Sequence, residues 1–148
     1  MKPAHARYLE LGARWALGLV FLASSLPKLA QPGEFAVAIY RYQLAPHAFI
    51  NVMAVFLPWL ELVCALALLG WRDARRGALW LVLGMLLMFT AAIGINLYRG
   101  IDIACGCFSV SAAKGHLGWL SIARNLALMG AVAVGLRLNA RPRPAPGR

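Results

Sequence analysis

The chain has few acidic residues, and that shortage limits the partners it can have. It contains five Asp and Glu against fifteen Lys and Arg, which gives a formal net charge of +10. An excess of basic residues of this size often indicates a nucleic-acid-binding protein. Here the basic residues form no stripe or patch and stand at the ends of apolar segments. We therefore exclude nucleic acid as a partner and expect a lipid bilayer.

Charge of either sign is nearly absent from three long stretches of the sequence. Hydrophobic residues make up 61% of the chain, whereas roughly half of the residues in a soluble domain are apolar. The stretch from 77 to 97 contains no charged residue, and those from about 48 to 70 and about 117 to 136 contain one each, Glu61 and Arg124. Each stretch is close to the ~20 residues that a helix needs to cross a bilayer.

A fourth apolar segment, near the N-terminus, is shorter. Only residues 15 to 27 are free of charge, and they span ~20 Å as a helix. Arg14 and Lys28 are therefore expected to extend toward opposite membrane surfaces. Three further spans follow and no clear small-residue cleavage site lies near Pro27, so the segment is interpreted as a retained helix rather than a signal peptide. The sequence predicts an all-α fold, an integral membrane four-helix bundle.

The distribution of basic residues predicts the orientation of this bundle. Most of them precede the first span, separate the second from the third, or follow the fourth: Lys2, Arg7, Arg14, Arg72, Arg75, Arg76, Arg137, Arg141, Arg143 and Arg148. The other two loops hold Lys28, Arg41, Arg99 and Lys114. The positive-inside rule then places both termini in the cytoplasm. In a bacterial inner membrane, the loop after the third span would face the oxidising periplasm.

One membrane domain is expected over residues 1–140. The basic, proline-rich tail at 141–148 cannot form a helix interior and is expected to be disordered. The loop after the first span is long enough for structure of its own. Its aromatic residues predict a short interfacial helix from Glu34 to Tyr42, with anchors at the headgroup level.

Two of the three cysteines, Cys105 and Cys107, flank a single glycine in the loop after the third span. A disulfide stabilises more as the loop it closes lengthens, so a bridge across one residue adds little stability. It would also be strained, and strained, exposed disulfides are easily reduced. The pair therefore predicts a redox couple that exchanges disulfides with a partner. A soft-metal site for Cu(I) and an absence of chemistry remain as alternatives.

Glu61 is an ionisable residue in the middle of a predicted span, and such residues are functional candidates by default. By depth its best partner is Arg124, because Lys28 is expected at the outer surface. Glu61 and Arg124 would shape a polar site that binds a cofactor, with a quinone as the candidate, or that relays a proton. A purely structural ion pair is the alternative. Cys64, one turn beyond Glu61, is interpreted as a small apolar residue, with a third redox thiol as the alternative.

Several motifs together resemble a known family. They are Gly18-Leu19-Val20-Phe21, Lys28-Leu29, Phe35, Tyr42, Pro46, Leu57-Pro58-Trp59-Leu60-Glu61-Leu62, Cys105-Gly106-Cys107-Phe108 and Arg124-Asn125. In this order and spacing they resemble the methylamine-utilisation membrane proteins called MauE, which belong with the DoxX-like group. The resemblance covers nearly the whole chain except the tail. The chain departs from the family pattern at Ala104 and Ser109, where that pattern has an acid and a glycine.

The resemblance implies a membrane protein that serves the maturation of disulfide-rich periplasmic proteins, together with a thioredoxin-like periplasmic partner. In the methylamine case the client is the small subunit of methylamine dehydrogenase. We therefore expect a membrane thiol–disulfide relay, a candidate oxidoreductase whose catalytic residues are Cys105 and Cys107. The alternatives are a non-enzymatic membrane assembly factor and a small metal or solute transporter.

Overall fold

The structure, a computed structural model, describes residues 3–71, 73–100 and 118–139. These residues form helices and contain no strand, which confirms the all-α prediction. The helices are α1 (Pro3–Ala30), α2 (Pro32–Arg41), α3 (His47–Gly70), α4 (Arg75–Tyr98) and α5 (Gly118–Asn139). Cys105, Cys107 and the tail at 141–148 lie outside the described residues.

Four of the helices are long and apolar enough to cross a membrane. Their candidate spans are Tyr8–Ala30, His47–Gly70, Arg75–Tyr98 and Trp119–Leu138. The last three agree closely with the uncharged stretches of the sequence. The first is longer than its uncharged part, because it begins at Tyr8 and continues through Pro27 to Ala30. The architecture fits a multi-pass membrane protein.

The four long helices pack as a square. Helices α1 and α4 each contact both α3 and α5, whereas α1 and α4 lie on one diagonal and α3 and α5 on the other. The core between them is built from buried aliphatic residues of all four helices, including Leu17, Leu68, Val82 and Val132. A Cβ added at Gly18 would lie 2.7 Å from the Leu69 side chain. The seam between α1 and α3 is therefore as tight as small residues allow.

Helix α2 lies beside the first half of α3. Gln31, with φ −134° and ψ 68°, separates it from α1, and Pro32 starts it, as proline does well in a first turn. Phe35 is buried with Ala54 and Leu57 of α3, and the ring of Tyr40 at the other end lies 5.3 Å from that of His47. The short helix is confirmed, with bounds close to the predicted ones, and its apolar face packs on the bundle. Its position at the headgroup level stays a prediction.

Candidate functional site

A buried ion pair joins α1 to α3. The Lys28 Nζ lies 2.7 Å from Glu61 Oε1 and 2.9 Å from Oε2, and it donates a third hydrogen bond to Ser24 Oγ at 3.1 Å. An ammonium group has three N–H donors, so each one has an acceptor. The side chains of Lys28 and Glu61 are 1% and 2% exposed. Both charges are thus removed from solvent with their hydrogen bonds made.

Helical spacing brings these side chains together. The residues of α1 that face the core recur at intervals of four, three and four: Leu17, Phe21, Ser24 and Lys28. On α3 the same face carries Leu57, Glu61, Cys64 and Leu68. Such intervals keep side chains on one side of a helix. Lys28 therefore points into the bundle because α1 remains helical past Pro27.

Two predictions about the charged residues are wrong. The sequence predicts that Lys28 lies at the outer surface and that Arg124 is the partner of Glu61. In the structure Glu61 pairs with Lys28, at a point roughly 21 Å from the start of α3 and roughly 14 Å from its end. The last turn of α1 is therefore inside the bundle, and α2 carries the chain onward along α3. The periodic core face of α1 was the sequence signal that could have revealed this.

Burial makes the two charges strongly dependent on each other. A lone ionised group at the centre of a bilayer costs about 2.5–3.5 kcal/mol on insertion scales. Removing one member of a buried pair typically costs about 3–5 kcal/mol, because the other charge is left uncompensated. The pair of Lys28 and Glu61 is thus stable as a unit and ties α1 to α3.

A small cavity lies beside the pair, and we call it the ion-pair cavity. Its volume is about 20 Å³, enough for roughly one water molecule. Its polar lining residues are Ser24, Lys28, Glu61, Arg124 and Asn125, and its apolar ones are Val20, Phe21, Leu86, Phe89 and Leu128. Glu61 and Arg124 do line one cavity, but a quinone ring does not fit there. Their predicted role in cofactor binding stays a prediction.

One hydrogen bond near this cavity connects α4 with α5, and two others lie within α4. Asn125, which is 3% exposed, donates from Nδ2 to Thr90 Oγ1 at 3.1 Å, and the Thr90 hydroxyl donates to the Leu86 carbonyl at 2.6 Å. The family motif singled out Asn125 in the sequence, whereas no pattern indicated Thr90. Further along α4, Asn96 is 2% exposed and donates to the Ala92 carbonyl at 2.9 Å.

Two aromatic rings cover the ammonium group. Lys28 Nζ lies 5.1 Å from the centroid of the Phe35 ring and 5.4 Å from that of Phe89. Both distances are within the range of cation–π attraction. Phe89 lines the ion-pair cavity and also a second, larger space beyond it. The rings therefore separate a polar site from an apolar one.

This second space, which we call the α2–α4 groove, has a volume of about 750 Å³. Helix α3 lies between α2 and α4, whose Cα atoms are all more than 8 Å apart, so α3 forms the floor and the other two form the walls. The described lining residues are Phe35, Ala38, Ile39, Tyr42, Leu44, Ala45, Pro46, Phe49, Met53, Leu57, Met88, Phe89, Ala91, Ala92 and Ile95. None of them is charged. Sequence reasoning missed the groove, because it arises from a gap between elements.

Cys64 lies away from this groove. It is 1% exposed, unbridged, and packed in the core with Leu68 and Val82. Its interpretation as a small apolar core residue is thus confirmed, and a third redox thiol remains the alternative. Cys105 and Cys107, the predicted catalytic pair, lie outside the described residues.

A family model and three curated relatives that match this chain all bear the same name. Residues 6–138 match the model of a family described as "Methylamine utilisation protein MauE". The chain is 36% identical to a protein of that name from Methylophilus methylotrophus over 77% of this chain and 60% of the relative. It is 35% identical to one from Paracoccus denitrificans over 82% of this chain and 69% of the relative.

A third relative of the same name, from Methylorubrum extorquens, is 36% identical over 74% of this chain and 59% of the relative. The chain thus matches roughly 60–70% of the length of these curated relatives. No solved structure matches the chain.

Proposed function

Because the chain belongs to the MauE family, we propose that it is a membrane thiol–disulfide relay in methylamine utilisation. In this proposal it serves the maturation of a client of the methylamine dehydrogenase small-subunit type, with a thioredoxin-like partner outside the cytoplasm. The observation that carries the proposal is the Cys105-Gly106-Cys107 sequence, which lies within the stretch that matches the family.

The relay needs only the two cysteines and a partner disulfide. The thiolate of one cysteine attacks the partner's disulfide, forms a mixed disulfide and releases a partner thiolate. The second cysteine then attacks the mixed disulfide, which forms the Cys105–Cys107 bond and frees the second partner thiol. Two electrons pass from the pair to the partner, and the reverse sequence returns them. The strain of a bridge across one residue makes it a good oxidant.

The bundle would hold this pair at one membrane face. We propose that both termini lie in the cytoplasm and that the loop at 101–117 is periplasmic, in a bacterial inner membrane, as the positions of the basic residues indicate. In this proposal the Lys28–Glu61 pair has a structural role, since its hydrogen bonds are complete. Arg124 and Asn125 would hold a water molecule beside it.

Thiol trapping in intact cells tests the proposal. A membrane-impermeant maleimide is applied with and without prior reduction, and the mass added at Cys105 and Cys107 is measured. Labelling only after reduction is expected, because the relay requires an external pair that can be oxidised. Absence of labelling in both states would overturn the proposed topology.

A variant pair tests the chemistry itself. Replacing Cys105 and Cys107 together by serine is expected to abolish disulfide formation in the client, scored by the same maleimide on purified client protein. Cys64→Ser is the matched control and should leave the client's disulfides intact. Normal client disulfides in the double variant would exclude the relay. They would favour an assembly factor that docks the client without redox chemistry.

A further inference from the structure

We propose that the α2–α4 groove is the binding site of an isoprenoid quinone, an uncharged, lipid-soluble two-electron carrier. The binding site is argued from described residues alone. Only the transfer of electrons between the quinone and the cysteines rests on the proposed relay function. The site differs from the one that the sequence suggested, where Glu61 and Arg124 were the candidate ligands.

The two possible quinone sites differ in volume. The ion-pair cavity, at about 20 Å³, holds roughly one water molecule. The α2–α4 groove, at about 750 Å³, falls within the range of about 300–1,000 Å³ that is usual for ligand sites. Only the groove has room for a substituted ring together with part of a prenyl chain.

The chemistry of the lining indicates an uncharged occupant. Among the described residues that line the groove there is no Lys, Arg, Asp or Glu, and the side chain of Tyr42 supplies the one hydroxyl. A phospholipid headgroup carries a phosphate, which proteins bind with charged donors. A quinone carries two carbonyl oxygens and no charge. The lining therefore suits the quinone better than the phospholipid.

The groove is also accessible from the lipid phase. Three of its lining residues, Phe49, Met88 and Ile95, are 57%, 40% and 45% exposed. They belong to membrane-spanning helices, so their exposed surfaces face hydrocarbon rather than water. An apolar carrier dissolved in the bilayer can therefore enter sideways, between α2 and α4.

The buried ion pair also suits an uncharged occupant. Lys28 Nζ lies 5.1 and 5.4 Å from the centroids of the Phe35 and Phe89 rings, and both rings line the groove. The ammonium is paired with Glu61 at 2.7 Å, so its charge is already balanced. The groove therefore needs no anionic occupant, and an uncharged carrier fits beside the pair without leaving a charge unpaired.

With the proposed relay, this site would complete an electron path. Two thiols of the Cys105–Cys107 pair would lose two electrons and two protons and form one S–S bond. The quinone would take up the same two electrons and two protons, and its two carbonyls would become the hydroxyls of a quinol. The quinone would thereby regenerate the disulfide after each client is oxidised.

Direct binding measurements test the site. Purified full-length protein in dodecyl maltoside micelles is titrated with a ubiquinone that carries one prenyl unit, and Kd is measured by calorimetry. Ala91→Trp adds a large side chain to the groove, which has space for it. We expect Kd to rise at least tenfold. Ala127→Trp is the matched control, because Ala127 is exposed on α5 and does not line the groove, and its Kd should not change.

Three other results would contradict the proposed quinone site. Equal Kd values for Ala91→Trp and Ala127→Trp would overturn the site. Displacement of the quinone by dihexanoylphosphatidylcholine at equal concentration would make the groove a general lipid site and overturn the assignment. A crosslink from a photoreactive residue at 91 to residues 101–117 of the same chain would show that this segment fills the groove.

The quinone-binding proposal and the relay proposal can be tested independently of each other. The variant with serine at both 105 and 107 should bind the quinone with the Kd of the unmodified protein. If that variant binds the quinone but still supports client disulfides, the relay is wrong and the site is right. If the unmodified protein supports client disulfides but binds no quinone, the relay stands and the site is wrong.

Discussion

Two neighbouring sites in this bundle differ in nearly every property. The ion-pair cavity is lined by the Lys28 ammonium, whose three N–H groups each have an acceptor, and has a volume of about 20 Å³. The α2–α4 groove has no charged lining residue among those described and has a volume of about 750 Å³. Phe89 is common to both. Polar chemistry and ligand-sized space are thus adjacent but separate.

The difference shows how a membrane bundle can keep a charge pair stable and still offer a binding site. A charge pair at mid-bundle needs close contact and the exclusion of lipid, since an incomplete set of hydrogen bonds would be costly. A ligand site needs room and access. The Phe35 and Phe89 rings, which lie between the two sites, allow the bundle to meet both requirements. Four substitutions test how this bundle is stabilised, and the one with the largest expected effect comes first.

The largest effect is expected at Lys28. Lys28→Met keeps the length of the side chain but removes the ammonium, so Glu61 is left buried without its cation. The free energy of unfolding should fall by about 3–5 kcal/mol. Denaturation in mixed micelles, followed by circular dichroism, measures this change.

A rescue variant distinguishes lost charge pairing from lost packing. Adding Glu61→Leu to Lys28→Met removes both charges, and stability should recover by most of the lost amount, because apolar replacements of a buried pair are often tolerated. If the double variant were no more stable than Lys28→Met alone, the ion pair would not explain the cost.

The second effect is expected at Phe89, whose ring lies between the two sites. Phe89→Ala would join the ion-pair cavity to the groove, and a half-buried phenylalanine should cost about 2–4 kcal/mol when truncated. The loss of cation–π contact with Lys28 adds to it. The same denaturation assay measures the change. Phe49→Ala, in the groove but 57% exposed, is the control and should cost clearly less.

The third effect compares the closed seam with more open regions of the bundle. At Gly18 an added Cβ would lie 2.7 Å from Leu69, whereas at Gly94 it would meet nothing within 4 Å. Overpacking typically costs about 1–3 kcal/mol, so Gly18→Ala should destabilise by that amount. Gly94→Ala should be neutral or slightly stabilising, because alanine favours helix more than glycine does. Equal thermal midpoints would contradict the tight seam.

The smallest effect is expected at the hydrogen bond between α4 and α5. Thr90→Val keeps the shape of the side chain but removes the acceptor of the Asn125 amide. Interhelical hydrogen bonds in membranes average about 0.6 kcal/mol, and a similar loss in stability is expected. A double-mutant cycle with Asn125→Ala measures the coupling, and additive effects would show that this bond contributes nothing.

Hydropathy and charge were sufficient to predict the spans. Segments such as 77–97 are long, uncharged and bounded by polar turns, and a bilayer leaves helices as the one way to satisfy their backbone. Even the short α2 was predictable, from its aromatic residues. The placement of Lys28 was not predicted correctly, because a lysine beside a short uncharged core was expected to extend toward the membrane surface.

The groove could not have been predicted from the sequence by any of these rules. It depends on the distance between α2 and α4, whose Cα atoms are all more than 8 Å apart, and nothing in the sequence marks residues such as Ala91 as lining a cavity. The sequence also contains no sign that Phe35 and Phe89 lie together beside Lys28, since the two residues are 54 positions apart. Pairwise geometry of this kind follows from tertiary packing rather than from local pattern.

The depth of the Lys28–Glu61 pair has a consequence for how the protein is made. The ribosome delivers Lys28 well before Glu61, and the translocon meets a first segment with a short uncharged core and a lysine that ends buried inside the bundle. Such a segment is a weak insertion signal by itself. We therefore expect its stable residence in the membrane to await the arrival of α3, so that biogenesis of the first span depends on a carboxylate that has not yet been synthesised.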